Sequence, residues 1–422
     1  MLDLVVRNVL YGEDLCDLVV HQGRIERLIR SGERAPEAEQ SFEGGKCRLL
    51  PGLIDAHAHF REPGFEYKED IASGLAAAAA GGFSRVMVMA NTQPVNDTGS
   101  ITRFMLDRAR QARPHGPFLH PVGALTKGLR GTELSPMHEL AEAGCAALSN
   151  DGLPVRDNEL FRHALEYSSD LGLRVVDHCE DPYLAAEGVL NEGAVSARLG
   201  LKGQPSVAES LQVARGALLA SYLDIPVHLA HISCRESVEI IAWAKGKGVP
   251  ITAETCPHYL VWDESLAGDY DPLAKVNPPL RTPDDVEAVR QGLRQGVIDI
   301  LVTDHAPHAG FEKEVPFADA PNGIAGMETA LPLTWSLVRR NELAAEDLLR
   351  AWCRGPAEIF GFPVNTLSPG DPADFLLWDE EATWDVSAEN LCSKGKNTPC
   401  IGKRLAGRMR AHFVRGLPIF GD

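Results

Sequence analysis

No stretch of the 422-residue sequence is apolar over the ~18 residues that a membrane-spanning helix needs. The longest candidate, GLAAAAAGGF at residues 74–83, is short and broken by glycine. The opening MLDLVVRNVL carries an early acid and no small-residue cleavage site, so no signal peptide is expected. The nine cysteines are scattered singly with no CxxC pair. That argues against a disulfide framework and for reduced thiols in the cytoplasm. Positive charge is also in deficit: the net charge is −18, which disfavours nucleic acid and anionic membranes as partners. An anionic substrate would have to be held by a few local cations. There is no internal repeat, and no GxGxxG turn follows the first apolar run of the central region.

What is present divides the chain in two. Residues 1–50 and 364–422 read as short strands separated by turns, such as DLVVRNVLY and CDLVVHQGRIERLI near the start and ADFLLWD and MRAHFVRG near the end. Each end alone is too small for a core, so the two are expected to form one discontinuous β-sandwich domain. Between them, residues 51–363 alternate apolar runs with helical patterns. The runs are GLIDAHAH, RVMVMANT, FLHPVGA, CAALSND, LRVVDHC, PVHLAHIS, VPITAETC and IDILVTDH. Eight strand–helix repeats predict an α/β fold of the (β/α)8 TIM-barrel type. An open doubly wound sheet is the alternative, and the missing glycine-rich turn counts against it.

Nearly every run ends in a residue capable of chemistry: His57 and His59, Asn91, Asp151, His178, His231, Glu254 and Asp304. In a barrel of this type the C-terminal strand ends converge on one mouth. His57 and His59 stand two apart on a strand and therefore face the same side. Taken alone, this pair reads equally well as two surface histidines. His178, His231 and Asp304, each closing an otherwise apolar run, shift the reading towards metal ligands. Asp151 follows the fourth run and could bridge two ions. Four histidines and two carboxylates suit zinc better than magnesium or calcium.

The ordered motifs DAHAHFREPG, ANTQPVND, ALSNDG, VDHCED, LAHIS, ETCPHYL, KVNPPLR, VTDHAPH and NGIAGMET run nearly the length of the chain. In them the sequence resembles the class I bacterial dihydroorotases of the cyclic amidohydrolase superfamily. The resemblance implies the barrel, the flanking β-sandwich, zinc and reversible closure of N-carbamoyl-L-aspartate to L-dihydroorotate in pyrimidine synthesis. Many superfamily members place a carboxylated lysine on strand 4; here CAALSNDGLPV offers Asp151 and no nearby lysine, which leaves one or two zincs open. Arg61 is expected to pair with the substrate carboxylate, because guanidinium binds carboxylate bidentately. The resemblance adds Asn91 and His308 at that carboxylate and Asn277 at the ring. Asp304 is expected to take a proton from the attacking water and deliver it to the leaving nitrogen.

Other features are weighed on the same footing. The segment HAPHAGFEKEVPFADAPNGIAG reads equally as a lid or a static connection. Cys179 is expected to be a packed thiol, able to reach a metal only if the backbone bends. Glu254, Cys256 and His258 are read as supporting groups. The stretch SKGKNTPCIGKRLAGRM resembles a family segment that usually has an aromatic where Cys400 stands. Competing functions are hydantoinase, dihydropyrimidinase or allantoinase, against which Arg61 and the missing lysine both count. A non-catalytic partner of aspartate transcarbamoylase would have lost ligands, and all six candidates are kept. A catalytic chain that binds aspartate transcarbamoylase, and a homo-oligomer, both fit.

Overall fold

The computed structural model describes residues 2–30, 33 and 37–421. Eight parallel strands form one sheet in sequence order: Leu53–Ala58, Phe83–Val88, Phe118–Ala124, Ala147–Ser149, Arg174–Asp177, Val227–Leu229, Ile251–Thr255 and Ile300–Leu301, here barrel strands 1 to 8. They correspond one for one to the eight apolar runs. Their residues are mostly buried on both faces, as a parallel sheet covered by helices requires.

The barrel closes between strands 8 and 1. Ala58 bridges His305 in parallel, and the His59 amide donates to the His305 carbonyl at 2.8 Å. Below that, the buried carboxylate of Asp55 accepts from the Thr303 amide at 2.9 Å and from its hydroxyl. A side chain thus continues the ladder where the short eighth strand cannot. Burial pushes the Asp55 pKa up to about 6, against the pull of these hydrogen bonds.

Helices pack outside the barrel, and local chemistry sets their ends. The alanine run forms the helix Ile71–Gly81, whose N-cap Asp70 makes a capping box with Ser73. The helix stops at Gly82, whose φ of 87° few other residues adopt. Small side chains let this helix lie close to the barrel: a Cβ on Gly74 would fall 2.5 Å from the Phe60 ring.

Both chain ends supply one mostly antiparallel eight-stranded sheet. Its strands are Leu2–Tyr11, Asp14–His21, Arg24–Arg30, Ala38–Glu43, Arg48–Pro51, Phe375–Asp385, Arg404–Val414 and Leu417–Phe420. The ends are joined where Leu50 pairs with Leu376. The sheet rolls over, so that Arg24 bridges Pro372 and the Ile25 amide reaches the Asp371 carbonyl. Inside the roll, Leu4, Val6, Leu18 and Val20 pack with Phe375, Leu377 and Phe413. Neither end contains this core alone, and truncating one of its buried phenylalanines to alanine costs about 3–5 kcal/mol.

One part of the C-terminal segment leaves the sheet. Residues 386–403, between the strands Phe375–Asp385 and Arg404–Val414, cross to the barrel mouth. There Asn397 accepts from the His308 amide at 2.8 Å and donates to the carbonyls of Ala306 and Gly323 at 3.1 and 3.0 Å. The Ser393 and Lys394 amides donate to Glu328 and Glu69. No helix among the described residues is long and apolar enough to cross a membrane.

Candidate metal centre and active site

The strand ends bring the six expected residues together at the barrel mouth. Asp55 and His57 stand two apart on barrel strand 1, and His59 follows its end. Asp151 follows strand 4, His178 follows strand 5, His231 strand 6 and Asp304 strand 8. All but Asp304 are at least nine-tenths buried, and the Asp304 side chain is 12% exposed.

Asp151 lies between two histidine pairs. Its Oδ1 is 3.3 Å from His57 Nε2, 3.2 Å from His178 Nδ1 and 3.6 Å from His231 Nε2. Its Oδ2 is 3.6 Å from His59 Nε2. Two ligand sets follow: His57, His59 and Asp151 on one side, and Asp151, His178 and His231 on the other. Asp304 stands beside the first, its Oδ1 3.1 Å from His59 Nε2 and 3.7 Å from His57 Nε2.

The donor set fits a cation. His57 Nδ1 is held by Glu254 Oε1 at 2.7 Å, which turns Nε2 into the site, and that Nε2 is buried without a hydrogen-bond partner. A carboxylate behind a histidine is the arrangement that fixes a metal-binding imidazole. Charge points the same way. Burial opposes ionisation of His57, yet Asp151 and Glu254 hold its pKa well above the ordinary value. Burial likewise opposes charge on Asp304, but a hydrogen bond from His59 and the fields of His57 and His231 draw its pKa down to about 2. The carboxylates call for positive charge at their centre, which bound cations supply in place of protons.

His231 and Asp304 have φ of 35° and 44°, and Arg61 has 61°. Side chains other than glycine occupy this region at a cost of about 1–3 kcal/mol each, and such strain concentrates at functional sites.

The expected substrate residues surround the centre. Arg61 donates from Nε to the Pro307 carbonyl at 3.2 Å; burial lowers its pKa, against the fields of Asp304 and Asp151. Asn91 is placed between two candidate ligands, with Oδ1 2.9 Å from His59 Nδ1 and Nδ2 3.4 Å from Asp151 Oδ2. Asn277 donates to Glu180 Oε2 at 2.7 Å. His308 is held neutral, its pKa pushed down to about 2 by burial and by the charges of Arg61 and Lys68. Its Nε2 donates to the Asn322 carbonyl at 2.9 Å and its Nδ1 faces Lys68 Nζ at 3.4 Å.

The segment after Asp304 is tethered. Lys313 Nζ donates to the carbonyls of Pro272 and Pro321 at 3.0 and 2.7 Å, and Lys275 Nζ to that of Ala318 at 2.7 Å. Cys179 is buried, its thiol 3.4 Å from the Asp177 carbonyl.

Several supporting residues escaped the sequence reading. His228, three before His231, continues the line from His57 through Glu254: its Nε2 is 3.0 Å from Glu254 Oε2 and its Nδ1 2.7 Å from Thr252 Oγ1. Glu180, two after His178, has Oε2 3.5 Å from His178 Nε2. The repeated spacing of two, as in HAH, is the signal that marks Glu180. Asn397 carries no local signal.

A buried His–Asp centre at the mouth of a (β/α)8 barrel, with a rolled β-sheet from both termini, defines a metal-dependent cyclic amidohydrolase. Known proteins agree. The family described as Dihydro-orotase-like matches residues 45–237. A dihydroorotase of Geobacter metallireducens is 44% identical over 408 residues, 97% of this chain and 96% of that one. One from Syntrophotalea carbinolica is 46% identical over 400 residues, 95% of this chain and 93% of that one. The L-hydantoinase (dihydropyrimidinase) from Arthrobacter aurescens has the same fold, with a TM-score of 0.86 at 24% identity over 100% of this chain and 96% of that one. The chain belongs to the dihydroorotase family.

Proposed function

We propose that the enzyme interconverts N-carbamoyl-L-aspartate with L-dihydroorotate and water in pyrimidine synthesis, using zinc held by His57, His59, Asp151, His178, His231 and Asp304. The observation that carries this reading is the meeting, at one mouth, of that ligand set with the half-buried guanidinium of Arg61. Arg61 lies in the field of Asp304 and Asp151, where an acidic protein otherwise offers an anion little. A substrate with a carboxylate fits there; an uncharged ring would leave the guanidinium unanswered.

When bound, zinc supplies Lewis acidity, activating water and polarising the ring carbonyl. The protein's own groups do the rest. Glu254 fixes His57 and Asn91 fixes His59, so the imidazoles keep one orientation. Arg61 takes the substrate carboxylate. Asn91, whose amide nitrogen has a second hydrogen, can add one donor without releasing Asp151. His308 joins by turning its Nε2–H from the Asn322 carbonyl to the substrate carboxylate. Asn277, its amide nitrogen on Glu180, presents its oxygen to a ring N–H.

Asp304 is the general base and acid. Held ionised, it receives the water's proton and returns it to the leaving nitrogen during hydrolysis. Ring closure runs through the same groups in reverse. Closure removes a carboxylate and takes up a proton, so acid favours cyclisation and alkali favours hydrolysis. A cytoplasmic location, a homo-oligomer, an aspartate transcarbamoylase partner and the division of the chain at residues 50 and 364 belong to the same reading.

The test is dihydroorotate hydrolysis at alkaline pH by the zinc-loaded chain, followed by ultraviolet absorbance beside Asp304→Asn. Turnover that disappears in the variant is the expected result. A folded, zinc-loaded chain that leaves dihydroorotate untouched, with or without aspartate transcarbamoylase, would sink the assignment.

A further inference from the structure

Barrel strand 7 runs into the sequence Glu254-Thr255-Cys256-Pro257-His258. Glu254 is occupied by His57 and His228, but Cys256 and His258 have no part in the scheme above. Cys256 is fully buried and His258 is 4% exposed. The Nε2 atom of His258 is buried without a hydrogen-bond partner. The Cys256 thiol, a ring nitrogen of His258 and a carboxylate oxygen of Asp304 all lie within 4.8 Å of one another. This third convergence of ligand atoms is separate from the two that share Asp151.

We infer that Cys256, His258 and Asp304 form an additional cation position for thiophilic divalent ions such as Zn2+ and Cd2+, and that filling it withdraws Asp304 from the reaction.

The donor chemistry selects the ion. A thiolate, an imidazole and a carboxylate make a three-ligand set with room for water as the fourth. The sulfur favours soft and borderline ions and disfavours magnesium and calcium. The backbone fixes the arrangement: Cys256 is the extended N-cap of the short helix Pro257–Val261, so both side chains are carried by one rigid joint. Binding exchanges the thiol proton, released to solvent, for the metal–sulfur bond; no oxidation is involved.

The position touches the centre through one residue only. Asp304 has one oxygen beside His59, and the carboxylate is the sole group that both sites use. A carboxylate that ligates a further cation is a poorer base. That consequence rests on the role given to Asp304 above, whereas the binding does not.

Cadmium gives the test, because a cadmium–thiolate bond absorbs in the far ultraviolet and none of the six centre ligands is a sulfur. The metal-loaded enzyme carries Cys392→Ser, which removes the exposed thiol. Cadmium is titrated while absorption and dihydroorotate hydrolysis are followed together. One equivalent of cadmium–thiolate absorption is expected, with turnover reduced about ten-fold or more. Both effects should vanish in Cys256→Ser, or in Cys256→Ala if serine disturbs folding, with basal turnover unchanged. His258→Gln should weaken cadmium binding about ten-fold or more, the scale of a lost metal-site partner. Cys179→Ser should alter neither effect. Absorption indifferent to Cys256 would overturn the site, whatever the turnover. Absorption that depends on Cys256 without loss of turnover would overturn the consequence, and with it the role of Asp304.

Discussion

The two halves of the metal centre use the same chemistry but are built to different tolerances. On the His57 and His59 side, each far ring nitrogen has a firm partner: Glu254 at 2.7 Å and Asn91 at 2.9 Å. On the other side, His178 Nε2 sees Glu180 only at 3.5 Å and His231 Nδ1 is buried without a partner. A histidine clamped from behind keeps one tautomer and one orientation and loses less freedom when it ligates. The first pair is therefore the preorganised one. A cation there should be held more tightly than one on His178 and His231, and a chelator should remove two ions in two phases.

Asp151 joins the halves, so its loss should have the largest effect. Asp151→Ala should empty both sides and lower turnover roughly a thousand-fold or more, as when a group shared by a catalytic constellation is removed. Metal analysis beside kinetics checks this; a variant that still holds one tight ion would show that the halves are independent. Next comes the clamp. Glu254→Gln should weaken the tighter ion about 10–100-fold and erase the two-phase release. Glu180→Gln acts across a longer contact on the looser side, and should cost about ten-fold or less in affinity for the weaker ion. Equal losses in these two variants would mean that the distances do not rank the sites.

The last prediction concerns stability rather than metal affinity, and a histidine with no carboxylate behind it. Burial opposes charge on His178, but Asp151 and Glu180 push its pKa up to about 10. His412 lies between Ser84 Oγ and the Ala79 carbonyl, and burial pushes it down to about 4 from the ordinary 6.5. Between those values the unfolded chain binds the extra proton and the folded chain does not. Stability from neutral His412 is thus complete above pH 6.5 and declines as the pH falls towards 4, by up to about 3 kcal/mol. His412→Asn should flatten the dependence of the denaturation midpoint between pH 7 and 5; an unchanged slope would exclude His412 as its source.

Much of this was legible along the chain because barrel strands are short and bounded. LRVV ends in Asp177 and His178, and IDILVT ends in Asp304; polar groups closing buried runs needed a mouth to face. Alternation by two placed His57 and His59 together. What stayed hidden depends on contacts far apart in sequence. Asp55 reads as a break in an apolar run until Thr303, 248 residues on, is seen to hold it. His228 breaks the apolar run VHLA and shows its use only against Glu254. Lys313 reads as a loop charge, yet it ties the segment after Asp304 to Pro272. No local pattern could send residues 386–403 from a β-sheet to the barrel mouth.

That excursion sets an order of events in the life of the chain. Asn397, which seats the His308 amide and the Ala306 carbonyl, lies 91 residues beyond Ala306. Chains are delivered from the N-terminus, and domains form as they emerge. All six candidate ligands leave the ribosome before Asn397 does. A nascent chain that has gathered its ligands still presents them under an unseated loop, open to chelators and to foreign ions. Sequestration of the metal is therefore among the last properties the protein acquires, and a chain stopped at residue 385 would hold its ions as a trap does with the door ajar.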